Sequence, residues 1–287
     1  MNPPPTDAYV PAEMAKRAEA SAIRKANRDF VSAFFLAIQA GAFIALGAAF
    51  FTLVIHDSPL GWGLTKLVGG LTFSLGLILV IIAGADLFTG DTLMVMACYG
   101  KKITIRQMLR GWTFVFFGNF AGALAIVALV FFSGHWHAHD GAVGAKALAI
   151  ANAKVNLGVG RAFVSGILCN VLVCLAIWLC YSSRSVTDKI LSIVFPITAF
   201  VAMGFEHSIA NMYFIPAGLL LKHDPQIVAR LGQVDLSALT TRGFLLNNLL
   251  PVALGNMLGG AVFIGTIYWI LYLRKKETQP HPTGETA

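Results

Sequence analysis

The chain has little charge for its length. Of its 287 residues, 12% are Asp, Glu, Lys or Arg, against about 25% in an average soluble domain. Hydrophobic residues make up 57%, which is more apolar surface than one soluble core absorbs. The composition therefore excludes a disordered chain and argues against a soluble enzyme. With 28 glycines, it is typical of closely packed membrane helices.

Cysteine is also scarce. Of Cys98, Cys169, Cys174 and Cys180, the last three fall within one apolar segment, so neither a disulfide framework nor a zinc site is predicted. The net charge of +7 is explained in a membrane chain by basic cytoplasmic loops, and no nucleic-acid partner is predicted. The histidines in residues 135–139 do not complete a tetrahedral ligand set, so no metal site is predicted there either.

Six apolar segments follow a polar N-terminal region. Two of them, Leu67 to Tyr99 and Ile190 to Leu221, are too long for one membrane crossing and too short for two with a turn. Glycine and an acid interrupt each near its middle, which predicts broken helices beside a cavity. The other four carry no charge and are long enough to span a bilayer; they are residues 34–54, 111–133, 162–181 and 243–273.

These segments divide the chain into three parts. Residues 1–30 form a cytoplasmic segment with a basic helix, which we expect to lie solvated at the membrane surface. Residues 31–273 form the six-helix transmembrane channel domain, and residues 274–287 a tail. Lys and Arg are concentrated in the two ends and in two loops, so the positive-inside rule places both termini in the cytoplasm of a multi-pass inner-membrane protein.

The two halves of the chain share two motifs. Residues 84–86 and 204–206 both read Gly-x-acid, and residues 118–122 and 255–259 both read Gly-Asn-x-x-Gly. Because each half has three spans, the second half enters the membrane from the opposite side. The sequence therefore predicts an all-α polytopic membrane protein of two inverted three-helix repeats, with spans 2 and 5 broken and the site where the breaks meet.

His207 is the only histidine in the predicted hydrocarbon region, and it lies in the second break. Imidazole donates and accepts protons near neutral pH, and ionisable groups inside a membrane mark transport pathways. We therefore interpret His207 as a pore residue. One histidine cannot supply both axial ligands of a bis-histidine haem, and no cofactor is predicted. Ser208 is a poor partner for a nucleophilic pair because adjacent side chains seldom face each other, so no enzyme is predicted.

Three acids lie near the breaks. We interpret Asp91 as the N-cap of the half-helix after the first break, and Asp86 and Glu206 as acceptors for backbone N–H groups that the breaks release. Asn211 is grouped with them as support for the broken helices. A proton relay or a cation site is the alternative for the acids, and that alternative describes a sodium-coupled secondary transporter.

Other side chains near the breaks suit a small anion. Thr89 offers a hydroxyl, and the N-termini of the half-helices carry partial positive charge. Asn170 lines the pore or forms an interhelical hydrogen bond. Lys154 is an ordinary surface lysine or an anion attractor at a vestibule. Bulky apolar residues there form core or dry constrictions: Phe73, Leu77, Leu87, Phe88, Val173 and Phe200.

Four strings in the sequence, at residues 66–70, 73–79, 84–89 and 204–212, resemble the formate/nitrite transporter family. The likeness extends over residues 11–273 and is greatest to the formate channels of the family. It implies an aquaporin-like fold, assembled in the lipid bilayer as a homopentamer with one pore per protomer. It also implies passage of formate and related monovalent anions or weak acids, with a proton link through a central histidine.

The resemblance also assigns roles residue by residue. His207 matches the pore histidine and Thr89 its hydrogen-bond partner, while Lys154 matches a vestibule lysine and Asn170 an asparagine near the histidine. Leu87 and Phe88 match a constriction near the first break, and a cytoplasmic-side constriction is matched by Phe73, Leu77, Val173 and Phe200. Gly90 departs from the formate channels towards the nitrite branch, so nitrite or hydrosulfide passage is the alternative function.

Overall fold

The computed structural model describes residues 9–274, and regular structure within that range is helical. The first eight residues and most of the predicted tail lie outside the described residues. The helices are α1 (Pro11–Ala26), α2 (Phe30–Ile55), α3 (Trp62–Ala83), α4 (Phe88–Asp91), α5 (Val95–Tyr99), α6 (Ile105–Phe132), α7 (Ala142–Val155), α8 (Val159–Ser182), α9 (Val186–Ala202), α10 (Ser208–Leu221), α11 (Pro225–Leu231) and α12 (Gly243–Tyr272).

Five helices of the described range are long and apolar enough to cross a membrane, namely α2, α3, α6, α8 and α12. The fifth predicted span is divided between α9, with 17 residues, and α10, with 14. Side-chain caps define several helix starts. Asp29 accepts a hydrogen bond from Ser32 N before α2, and Thr104 accepts one from Gln107 N before α6.

Glycine allows two helix pairs to approach very closely. A Cβ atom at Gly122 of α6 would lie 1.9 Å from the carbonyl oxygen of Ile38 in α2, and one at Gly259 of α12 would lie 2.3 Å from that of Ile167 in α8. No side chain fits in either position, so the backbones themselves are in contact. The matching Gly-Asn-x-x-Gly motifs thus mark equivalent helix crossings, α2 with α6 and α8 with α12.

Helix α1 is not the solvated surface helix that its charge predicts. One face, with Met14, Ala15 and Ala18, is buried against Met96 and Trp178. Small side chains along this face let α1 pack against α5 and α8. The prediction failed because alanine contributes little hydrophobicity, so the apolar face of α1 is weak in the sequence. The lysines and arginines of the helix are much more evident.

The structure also contains a helix that the sequence analysis did not predict. Helix α7 lies between the third and fourth spans and ends beside Lys154. Lys154 precedes Gly166 by twelve positions, as Lys25 of α1 precedes Ala37 (166 − 154 = 12 and 37 − 25 = 12). Because Ala37 and Gly166 make equivalent contacts, described below, α7 takes in the second half the place that α1 takes in the first.

Candidate functional site

The two helix breaks have the same backbone design. Gly84, with φ +87°, follows the end of α3, and α4 starts at Phe88. Gly204, with φ +73°, lies two residues after Ala202, the last residue of α9, and α10 starts at Ser208. Positive φ is a conformation that glycine adopts without steric cost. Each break therefore ends one helix sharply and leaves the first N–H groups of the next without intrahelical partners.

Asn119 of α6 satisfies the backbone at the first break. Its Oδ1 accepts a hydrogen bond from Phe88 N at 2.9 Å, and its Nδ2 donates to Asp86 O at 2.9 Å and to Ala37 O at 2.7 Å. The side chain is fully buried. One amide thus joins the break to both α2 and α6.

Asn256 of α12 makes the same contacts at the second break. Its Oδ1 accepts from Ser208 N at 2.9 Å, and its Nδ2 donates to Glu206 O at 3.0 Å and to Gly166 O at 2.8 Å. The repeated Gly-Asn string marked both asparagines as equivalent, but the sequence analysis missed this role. The prediction that the Asp86 and Glu206 carboxylates accept the released N–H groups is wrong, since the two amides do so.

The carboxylates at the first break bind cations of the N-terminal segment instead. Lys25 Nζ lies 3.3 Å from Asp86 Oδ1 and also donates to Asp91, while Arg28 pairs with Asp86. Asp91 is the last residue of α4, and its carboxylate makes no capping hydrogen bond to the short 3-10 turn that follows, so the predicted side-chain cap is wrong. Burial opposes the charge of Lys25, but the carboxylates of Asp91 and Asp86 outweigh it and raise its pKa. This stabilisation is fully present below pH ~10.4, the unfolded-state value, and is lost only as pH rises through the higher folded-state pKa.

Replacing Lys25 by Met should release α1 from the rest of the protein. Loss of one partner of a buried ion pair costs about 3–5 kcal/mol. The Lys25 side chain is 25% exposed and Arg28 still pairs with Asp86, so we expect a smaller loss of about 2 kcal/mol. Amide hydrogen exchange over residues 11–26 should accelerate. Lys16→Met, at an exposed position of the same helix, is the control, and equal exchange in the two variants would contradict this account.

Glu206 at the second break is held by the second half of the protein. Lys154 Nζ donates to its Oε1 at 2.8 Å, and Asn211 Nδ2 to its Oε2 at 2.6 Å. Asn248, a residue that the sequence analysis did not single out, donates to the same Oε2 at 3.3 Å. Both breaks therefore carry an acid neutralised by a lysine from α1 or α7, which argues against a sodium site built on these acids.

His207 and Thr89 join the two breaks. Thr89 Oγ1 lies 3.0 Å from His207 Nε2, and both side chains are buried. His207 Nδ1 accepts a hydrogen bond from Ala210 N at 3.1 Å and so caps α10. Because Nδ1 is an acceptor, the neutral ring carries its proton on Nε2, and that N–H points at the threonine hydroxyl.

Asn170 supports the threonine from the other side. Its Nδ2 donates to Thr89 O at 3.1 Å, to Thr92 Oγ1 at 3.2 Å and to Asn256 O at 2.6 Å. Of the two interpretations from the sequence, this geometry favours the interhelical hydrogen bond. Asn170 fixes the α4 backbone against α8 and α12, and thereby holds the Thr89 side chain opposite His207.

A cavity of about 430 Å³, here called the Lys154 cavity, leads to this pair; Lys154, Glu206, His207, Phe73 and Phe200 are in its lining. The sequence analysis assigned Phe73 and Phe200 to a cytoplasmic-side constriction and Lys154 to an outer vestibule, but all three residues line this one cavity. The ring centroids of Phe73 and Phe200 are 5.8 Å apart, and Phe200 stacks on the His207 ring at 5.9 Å. The other predicted constriction residues are buried and do not line this cavity: Leu77, Leu87, Phe88 and Val173.

The chain is also similar in sequence to known proteins. The family model for formate/nitrite transporters matches residues 12–270. The formate channel FocA of Escherichia coli strain K12 is 42% identical over 278 residues, which cover 95% of this chain and 98% of that protein. FocA of Haemophilus influenzae is 45% identical over 263 residues, covering 90% and 93%.

The fold is similar to that of solved channels. A structure described as a pentameric formate channel with formate bound superposes with a TM-score of 0.78 at 41% identity, covering 85% of this chain and 98% of the other. An ion channel of the same family superposes with a TM-score of 0.76 at 32% identity, covering 90% and 98%. These similarities confirm the predicted all-α polytopic membrane fold.

Proposed function

Since the chain belongs to the formate/nitrite transporter family, as its motifs predicted, we propose that it passes formate and related small monovalent anions across the cell inner membrane. The observation that carries this proposal is the buried contact of 3.0 Å between Thr89 and His207. It places a hydrogen-bond donor at the junction of two broken helices, beside a cavity that contains cationic side chains.

At the junction of the two breaks the substrate meets a neutral histidine. His207 carries its proton on Nε2, so a carboxylate that displaces the Thr89 hydroxyl accepts a charge-assisted hydrogen bond from the ring. The Phe73 and Phe200 rings oppose passage of a bare charge, because desolvation favours the neutral form of an acid. The anion therefore takes up a proton at His207, beside these rings, and leaves this region as the protonated acid.

His207 gives the proton to the substrate. The neutral ring cannot do this alone, because loss of its only ring proton would leave an imidazolate. A second proton has to enter the ring at Nδ1, where it replaces the hydrogen bond from Ala210 N. The charged ring then gives its Nε2 proton to the anion, which leaves a neutral ring protonated on Nδ1. Loss of that proton and uptake of one at Nε2 restore the starting tautomer and the hydrogen bond from Ala210 N. Low external pH should consequently accelerate formate entry.

The relatives support an assembly of five copies. One solved relative is described as a pentameric formate channel, so we assign this chain to a homopentamer in the lipid bilayer, with one pore in each protomer. Both termini lie in the cytoplasm under this proposal, since the basic N-terminal segment and the basic tail share one side. The Lys154 cavity then opens to the opposite, outer side.

Nitrite and hydrosulfide are the second candidates, because Gly90 follows Thr89 directly. A Cβ atom at Gly90 would lie 2.6 Å from Ile177 Cδ1, the far end of a side chain of α8, so a larger residue next to Thr89 would require Ile177 to shift.

Flux measurements test the proposal. The purified protein is reconstituted in vesicles, and entry of formate, nitrite and hydrosulfide is followed at external pH 5 and pH 7, with sodium or potassium as the cation. We expect formate entry that is several-fold faster at pH 5 and independent of sodium. Fast nitrite or hydrosulfide entry with weak formate entry would favour the second candidates, and a sodium requirement would contradict the mechanism.

A further inference from the structure

Three lysines line the Lys154 cavity. Lys66 belongs to the first turns of α3, and Lys146 and Lys154 belong to α7. Glu206 is the only acid in the lining. Lys66 lies within electrostatic range of both other lysines. The cavity therefore brings together cations that are far apart in sequence.

Lys154 is not a free cation in this cavity. Its ammonium group lies 2.8 Å from Glu206 Oε1 and 5.3 Å from the centre of the Phe214 ring. Lys66 and Lys146, by contrast, form no ion pair with any residue in the range 9–274, and the Lys66 ammonium group lies 6.0 Å from the centre of the Trp62 ring, which leaves its charge unneutralised. Three lysines and one carboxylate leave two positive charges, and these are the charges of Lys66 and Lys146.

Lys146 precedes Lys154 by eight residues on α7, so it is separated along that helix from the Lys154–Glu206 pair. Lys66 precedes Phe73 by seven residues on α3, which is about 10 Å along a helix. Both lysines are half-buried, and the walls of the same cavity include Phe51, Ile55 and Ile150. Cations in a cleft with apolar walls focus their field and raise the local concentration of counter-ions.

We infer that Lys66 and Lys146 form an anion-binding station in the outer part of the Lys154 cavity, separate from the Lys154–Glu206 pair. The station takes small carboxylates and other monovalent anions from water and holds them before they reach Phe73, Phe200 and His207. This inference rests on the proposed function. It reassigns the attraction of the anion from Lys154, which Glu206 neutralises, to two lysines that the sequence analysis did not single out.

An anion station has a distinct kinetic signature. It raises the occupancy of the cavity at low substrate concentration, but it leaves the barrier at His207 unchanged. Loss of the station should therefore raise the half-saturating formate concentration without changing the maximal rate or the pH dependence. Because the Debye length falls from about 30 Å at 0.01 M salt to about 3 Å at 1 M, high salt should remove most of the effect.

The first experiment measures formate entry from the Lys154 side for wild type, Lys66→Gln, Lys146→Gln and the double variant. We expect the double variant to raise the half-saturating formate concentration about tenfold at 10 mM ionic strength, which is within the range of electrostatic focusing, and less than twofold near 1 M. Lys146→Arg should retain the wild-type value. Arg230→Gln removes an exposed charge of α11, which packs on α7, and serves as the control. An unchanged half-saturation at low salt, or a lost maximal rate, would overturn the inference.

A binding measurement separates this inference from the proposed function. In purified wild-type protein, formate or chloride should slow the reaction of Lys66 and Lys146 with an amine reagent, whereas Lys222, outside the cavity lining, should react at an unchanged rate. Protection without flux would retain the station and reject the proposed function. Flux with no protection of either lysine would reject the station and retain the proposed function.

Discussion

Replacement of His207 by Asn should abolish the acceleration of formate entry at low pH. An asparagine side chain can still cap α10 by accepting the Ala210 N–H group, and it can still donate to Thr89. It cannot take up and release a proton near neutral pH. We therefore expect entry at pH 5 to fall at least tenfold, since a proton-transfer group typically contributes about 10²–10⁴-fold, and the ratio of the rates at pH 5 and pH 7 to approach one.

The measurement is formate entry into vesicles of matched protein content, with His223→Asn as the control. His223 is exposed and outside the Lys154 cavity, so its replacement should leave the rate and the pH ratio as in wild type. Thr89→Val, which removes only the hydroxyl that faces Nε2, should lower the rate less. Unchanged flux and pH dependence in His207→Asn would mean a plain anion pore with a structural histidine.

The second large effect is on folding, and it concerns Asn256. Replacement by Leu removes three hydrogen bonds, one that Asn256 accepts and two that it donates. The groups that lose Asn256 as their partner are Ser208 N, Glu206 O and Gly166 O. A buried polar group left unsatisfied costs about 1–3 kcal/mol. We expect Asn256→Leu to lower the free energy of unfolding by at least about 3 kcal/mol, and Asn119→Leu to have a similar effect at the equivalent break.

Unfolding in detergent, followed by circular dichroism against denaturant, gives this difference. Asn156→Leu is the matched control, because Asn156 is exposed and its side chain bonds only within α7, to Asn152. A stability of Asn256→Leu within about 0.5 kcal/mol of wild type, the usual range for surface substitutions, would show that the backbone at the break finds other partners.

The sequence by itself determined the membrane class, the position of the spans and the two breaks. These features are local: a run of apolar residues spans a bilayer, and a glycine beside an acid interrupts it within a few positions. His207 stood out for the same reason, as the single histidine in apolar surroundings. The repeated Gly-Asn string identified equivalent positions on α6 and α12, although not their function.

The tertiary structure alone decided which groups are partners. Asn119 bonds Phe88 N from 31 positions away, Lys154 pairs with Glu206 across 52 positions, and Lys25 reaches Asp91 across 66. Each pairing depends on how close two helices pack, and residue type gives no such distance. For the same reason the sequence analysis did not single out Lys66 and Lys146. These lysines are identified as unpaired cations only because the structure shows that Glu206, the acid in the cavity lining, pairs with Lys154.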